Sequence, residues 1–277
     1  MSNFTQWYTG TDTNLGVPFP TGAGVQTEHF YIGRLGGELT ADSYGFDIQA
    51  AKAATRTFGY WDLGGPTHPA RPTGQSPQAW GHAQAQAFLA AWRAQHQVDG
   101  TTLFLDVEVG NGGWVANPGP AGQTENGAVL QGALTALSSV AEPGIYIGSS
   151  FWTQAFGASA DPGVPFVLFL AGTPCPATVE DAIAAWDHLP TVGGMAPMIW
   201  QWRIPGCAGA TQDWDLTPYG GWLHEGRWKP TPATPPQPVA TTAVTPADFR
   251  GALAQLNTAA TDLQLGIQTL AALIKED

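Results

Sequence analysis

The sequence predicts an α/β fold, a TIM-like (β/α) barrel, from three observations. Short β-rich apolar runs alternate with helix-like stretches over roughly the first 230 residues, the pattern of parallel strands with crossover helices. There are about seven or eight such units, which is the count and size of a closed barrel. No G-x-G-x-x-G follows an early strand, so nothing favours the rival, an open nucleotide-binding sheet.

The β-rich runs cover 4–9, 30–35, 57–62, 103–109, 144–149, 166–171 and 198–203. Residues 43–56 are Ala-rich, with apolar positions near helical spacing. Residues 78–97 and 125–140 read as longer helices, and 151–156 and 178–186 as shorter ones. Together these make a barrel domain over 1–228. The composition then changes. The stretch KPTPATPPQPVATTAVTP (229–246) is Pro/Thr-rich and reads as an extended, semi-rigid linker. In 247–277 the apolar residues Phe249, Leu253, Leu256, Ala260, Leu263, Ile267, Leu270 and Ile274 are spaced alternately by four and three. That is the heptad pattern of a coiled-coil-type amphipathic helix, with Pro246 and Asp248 suited to its start. So short a helix, carrying Gly251 and Gly266, is marginal alone and needs a partner. The partner is expected to be a second copy, another virion or cell-surface protein, or the barrel itself.

Composition narrows the partners. The chain is 277 residues long, 43% hydrophobic, with 12 Trp and 35 Gly, which suits a packed core with tight loops. Its net charge is −12 with 10 Lys plus Arg. No basic footprint for nucleic acid is visible, and an acidic surface disfavours anionic lipid. No run approaches the ~20 apolar residues of a membrane span. The start, MSNFTQWYTG, lacks a basic and apolar signal peptide. The six histidines show no paired metal-ligand spacing, so neither metal nor cofactor is expected. Cys175 and Cys207 each follow a β-rich run; if those strands are neighbours, a disulfide can form at one rim, and two free thiols are the alternative.

The chemistry begins with LFLDVEVGNGGW (103–114). Two carboxylates, Asp106 and Glu108, stand two residues apart in a greasy run. Side chains alternate along a strand, so Phe104, Asp106 and Glu108 share one face, and Leu103, Leu105, Val107 and Val109 the other. The C-terminal ends of barrel strands carry the chemistry. Other acids fall at comparable places: Asp12 after the first run, Asp62 with Tyr60 in FGYWD, and Asp213 and Asp215 after IWQWR. Acids converging with aromatic residues suit sugar chemistry. One carboxylic acid protonates the leaving oxygen while another carboxylate supports the positively charged transition state. Trp114, Trp152, Trp200 and Trp202 are candidates for lining a glycan cleft, with core packing the alternative for at least half of them.

An ordered set of segments over about residues 5–222 resembles the glycoside hydrolase family 25 lysozymes. These are FYIGRLGG (30–37), FGYWDLGG (58–65), LFLDVE (103–108), GIYIGSSFW (144–152) and IWQW…DWDL (199–216). The resemblance implies a muramidase-like glycosidase cleaving bacterial cell-wall glycan. Glu108 would be the general acid and Asp106 the residue that supports the substrate N-acetyl group and developing charge. Asp215 would be the late family acid, with Asp213 the alternative. With the residues singled out above, the candidate substrate-binding set is Tyr60, Tyr146, Asp12, Asp62, Trp114, Trp202 and Asp213. The family's early Gly-x-Asp-x-Ser is only partly matched by Gly10-Thr11-Asp12-Thr13-Asn14. Tyr60-Trp61-Asp62 stands for Tyr-His-Phe, and Thr217 for Asn. A wall enzyme joined to a heptad helix is expected to be extracellular or virion-associated, as a phage-encoded lysin or tail protein. The alternatives are a non-catalytic glycan-binding or structural virion protein on the same barrel, or a hydrolase of another polysaccharide.

Overall fold

The computed structural model describes residues 4–12, 19–42, 54–95, 101–172, 174–207, 210 and 212–225. The strands are β1 (Trp7–Thr11), β2 (Val25–Gly37), β3 (Thr40–Ala41), β4 (Arg56–Asp62), β5 (Thr102–Asp106), β6 (Glu142–Gly148), β7 (Val167–Ala171), β8 (Pro197–Arg203) and β9 (Trp214–Thr217). The helices are α1 (Pro77–Ala94), α2 (Gly119–Ser138), α3 (Ser149–Phe156), α4 (Val179–Ala185) and α5 (Gly220–Glu225). The sheet order is β1-β9-β8-β7-β6-β5-β4-β2-β3, and β1 also pairs with β2. Eight strands therefore close into a barrel, with β3 an outlying hairpin arm on β2.

Seven barrel strands are parallel neighbours in chain order. The eighth, β9, runs antiparallel to both β8 and β1. This corrects the expectation of a uniform (β/α) repeat. An antiparallel partner needs only a short return and no crossover helix. The run at 103–109 is also shorter as a strand than expected. Its ladder closes with Asp106, whose backbone carbonyl accepts from the Asn111 side-chain amide at 2.7 Å. A single 3-10 turn follows, Val109–Asn111, so Val109 leaves the buried face and is 62% exposed. Helix α2 starts at Gly119 rather than 125. Of the helix expected over 43–56, residues 43–53 lie outside the described residues, and Arg56 opens β4. The expected linker and heptad helix, 229–277, also lie outside them.

The elements form for local reasons. Pro77 takes the first turn of α1, and Ser76 caps it by accepting from the Ala79 N–H at 3.2 Å. Trp80, Gln84, Phe88 and Trp92, four residues apart, form one buried stripe of α1 toward the sheet. Buried Gln84 is satisfied by Gly64, accepting from its N–H at 2.7 Å and donating to its carbonyl at 3.0 Å, which anchors the loop after β4. Thr178 caps α4 in the same way as Ser76 caps α1.

Strand alternation builds two apolar layers. Between strands and helices lie Trp61, Trp80, Trp92, Trp152, Trp200 and Trp202 among others. Inside the barrel lie Phe30, Ile32, Phe58, Phe104, Phe169 and Ile199, joined by Trp222 from α5. Two glycines make room for these inner rings. A Cβ on Gly10 would fall 2.2 Å from Phe30, and one on Gly144 would fall 2.3 Å from Phe104. Among the described residues no helix is long and apolar enough to cross a membrane.

Candidate active site

One residue pair further along the inward face, the interior changes from apolar to polar. Phe58 is followed by Tyr60, Phe104 by Asp106, Gly144 by Tyr146, and Ile199 by Gln201. These positions all lie toward the C-terminal ends of parallel strands. Asp12, Tyr60, Asp106, Glu108, Tyr146, Phe169, Gln201, Ile204 and Asp213 surround a cleft of ≈ 220 Å³ there. A second hollow of ≈ 470 Å³ includes Glu108, Val109, Ser149, Ser150, Phe151 and Pro190. Glu108 lines both. The first is acidic and phenolic, whereas among the described residues Glu108 is the one charged side chain lining the second.

A hydrogen-bonded chain crosses the cleft. The Gln201 side-chain amide donates to Asp12 Oδ2 at 2.7 Å, and the Tyr146 hydroxyl donates to Gln201 Oε1 at 2.7 Å. Tyr146 and Glu108 stand together in the cleft lining. On the opposite wall the Thr11 hydroxyl donates to the Asp213 carbonyl at 2.9 Å and accepts from the Gln212 amide at 3.1 Å, fixing the segment before β9.

Crowding and burial push all the cleft acids toward protonation. Glu108 is raised, first by burial, then by the charge of Asp62, with the neighbouring Tyr146 hydroxyl opposing. Asp106 is held well above the carboxylate range by burial, then by Glu108 and Asp62. Asp12 is raised likewise by burial and then Asp213. Asp213 is pushed up to about 6 by burial and then Glu108. Burial also raises the Tyr60 and Tyr146 phenols, so both stay protonated. Asp12 Oδ1 and Asp106 Oδ1 are buried without a hydrogen-bond partner among the described residues.

The other residues singled out from the sequence are placed differently. Asp215 has no exposed surface, and neither carboxyl oxygen has a hydrogen-bond partner among the described residues; it is not part of the cleft lining, whereas Asp213 is. Asp62 is drawn aside by Arg34, whose Nε and Nη2 donate to Asp62 Oδ2 at 3.0 and 2.6 Å. Trp114 and Trp202 are not cleft residues. Trp202 alternates with inward Gln201 and so faces the helix layer; Trp114 is buried there too, packed on Phe156 and donating to the Leu63 carbonyl at 2.7 Å. Trp152 and Trp200 belong to the same layer. Cys175 and Cys207 form a disulfide, Cα atoms 6.0 Å apart, between the loops leaving β7 and β8. Among the described residues no group of three or more His, Cys, Asp or Glu is arranged to hold a metal ion.

The sequence reading missed Gln201, Phe169, Ile204 and the second hollow. Gln201 carried a usable signal, a polar residue inside an apolar strand, as Asp106 is. Val109 and Ile204 are two of the four large apolar side chains most exposed among the described residues; Ile204 lines the cleft and Val109 the second hollow.

Fold and site together define a class: a closed, mostly parallel barrel that gathers carboxyl groups at the C-terminal pole of its strands. Among solved structures, a family GH25 lysozyme from Aspergillus fumigatus is similar at 17% identity, over 70% of this chain and 83% of that one, with a TM-score of 0.43. The catalytic domain of the endolysin ply40 from bacteriophage P40 of Listeria monocytogenes is similar at 14% identity, over 82% and 98%, with a TM-score of 0.42. The bacterial lysozyme from Streptomyces coelicolor is similar at 17% identity, over 68% and 79%, with a TM-score of 0.38. No family model and no curated protein matches the sequence.

Proposed function

We propose that the chain is a muramidase-like glycoside hydrolase that cleaves bacterial cell-wall glycan, with Glu108 as its general acid. The observation that carries this reading is the position of Glu108. It is a half-buried carboxyl, biased toward its protonated form, standing where an acidic hollow meets a neutral one. A glycosidic oxygen bridging the two hollows would receive its proton from Glu108. The sugar that develops positive charge occupies the acidic hollow, where Asp106, Asp12 and Asp213 stabilise it. The leaving sugar occupies the neutral hollow beside Ser149, Ser150 and Phe151. Asp106 Oδ1, without a partner, suits acceptance of an amide N–H such as that of an N-acetyl group. The LFLDVE resemblance supports the same roles. Of the two late acids, Asp213 meets the substrate, because Asp215 has no exposed surface.

The test is reducing-end release from purified peptidoglycan, wild type beside Glu108→Gln. The substitution keeps the shape and removes the acid proton. Its expected cost is about 10²–10⁴-fold in rate. Equal rates in the two proteins would sink Glu108 as the acid. No release by either would sink the muramidase reading.

A further inference from the structure

Asp62 is a carboxylate that the proposed mechanism leaves without a task. It ends β4, and its register partner across the parallel ladder is Asp106, the last residue of β5. The Leu63 N–H donates to the Asp106 carbonyl at 2.9 Å, tying the two strand tips together. The Asp62 and Asp106 carboxyls are therefore neighbours, the charge of Asp62 adding to the cost of ionising Asp106, and Asp106 Oδ1 has no hydrogen-bond partner among the described residues. From β2, Arg34 grips Asp62 through two nitrogens and reaches Asp42 with a third at 2.8 Å. The backbone of β2 also closes on Asp62. A Cβ on Gly37 would lie 3.0 Å from Asp62 Cβ, and the Glu38 N–H donates to the Asp62 carbonyl at 3.1 Å. Asp62 is thus held from two strands, beside the acids yet outside the cleft lining.

We propose that Asp62, clamped by Arg34 beside Asp106, is a positioning residue: it sets the charge against which Glu108 keeps its own proton. This rests on the reading of Glu108 as the acid. The groups that face Asp62 are Arg34 from β2, Asp42 after β3, Tyr60 on its own strand, and Asp106 and Glu108 from β5 and the turn beyond. Glu38, next to it, is engaged by His68 Nε2 at 2.8 Å. Facing Glu108 are Asp62, Asp106, Asp12, Asp213 and Tyr146. After burial, Asp62 is the leading cause of the upward shift of Glu108, and burial raises Asp62 itself while Arg34 opposes. A fixed negative charge favours the protonated form of a neighbouring acid. Removing it lowers the pH at which Glu108 loses its proton, and Asp106, freed of the same neighbouring charge, also ionises at lower pH.

The experiment compares pH–rate profiles on peptidoglycan for wild type, Asp62→Asn and Asp42→Asn. Both substitutions remove one carboxylate from Arg34, but only Asp62 adjoins the acids. Asp62→Asn should move both limbs to lower pH, by about one unit, while Asp42→Asn leaves them in place. Loss of rate with unmoved limbs would mean that Asp62 is merely structural and would overturn the proposal, as would equal shifts in the two variants. Carboxyl titration of the same proteins by carbon-13 NMR needs no turnover. If wild type proves inactive, a downward shift of Glu108 in Asp62→Asn still supports the charge coupling, and an unmoved Glu108 overturns it. If Asp62→Asn does not fold, Asp62→Ser removes the same charge and must give the same shift.

Discussion

The two ends of the barrel interior contrast sharply. At one end Phe30, Phe58, Phe104 and Trp222 fill the space ring against ring, with Phe58 and Trp222 stacked at 4.4 Å between centroids. At the other, Asp12, Asp106, Glu108 and Asp213 gather around a cleft. The first arrangement gains free energy from every buried ring, on the order of 1.5–3 kcal/mol each. The second costs free energy, because desolvated like charges oppose burial. The lesson is that the apolar end offsets a site that could not hold itself together.

Three changes should break that comparison and one should sharpen it. Trp222→Ala opens the apolar end. It removes the stack on Phe58 and the indole donation to Thr102 Oγ1 at 3.0 Å. About 3–5 kcal/mol of stability should be lost, read as a lower denaturation midpoint. At the acidic end, the Cys175–Cys207 bridge closes a segment of sequence separation 32. Replacing both cysteines by Ser should cost about 2–4 kcal/mol, measured in the same unfolding series. Neither change touches a cleft carboxyl, so any residual folded fraction should keep the wild-type pH profile.

Asp215→Asn addresses the cost of the acids directly. Asp215 is raised above its ordinary value of 3.8 by burial, then by Asp12 and Asp213. The folded state therefore holds this proton more tightly than the unfolded state does. The associated stability is full below pH 3.8 and is lost as pH rises through the folded value. Asn carries no such proton, so melting temperature should fall less steeply above pH 4 in the variant than in wild type. Parallel curves would show that Asp215 stays as solvated as in the unfolded chain. The smallest effect is expected at the rim. Ile204→Ser should raise KM for glycan about threefold to tenfold with kcat unchanged, since Ile204 lines the cleft but carries no reacting group. A fall in kcat instead would show that the rim helps set the geometry of the acids.

Much of this was legible in the sequence because burial leaves a pattern. The runs around 30–35, 57–62 and 144–149 are strands in the structure, where they pack apolar faces. Asp106 and Glu108 stood out because charges inside an apolar run need a reason. Strand β9 was not legible for the opposite cause. In Trp214-Asp215-Leu216-Thr217 the polar residues alternate as on a half-exposed strand, yet Asp215 and Thr217 turn inward and are fully buried. Thr217 is accommodated by donating to the Met198 carbonyl at 2.6 Å. Trp114 and Trp202 were read as cleft residues because composition says nothing about facing. The inward position of Gln201 is what sends Trp202 outward. Asp62 could not be separated from the substrate-binding acids without seeing Arg34 beside it.

The placement of β9 has a consequence for how the protein comes into being. Among the described residues it is the last strand, and it joins β8 to β1. The Thr11–Asp213 bond, 202 residues apart in sequence, forms only when that strand arrives. Such distant pairings make folding slow, because the loop entropy must be lost before the contacts compensate. A chain emerging from the ribosome can pair β1 through β8 and still possess neither a closed barrel nor a complete ring of acids. The cleft is thus assembled at the last step of folding, and a truncated product that stops before residue 213 lacks the residue opposite Asp12.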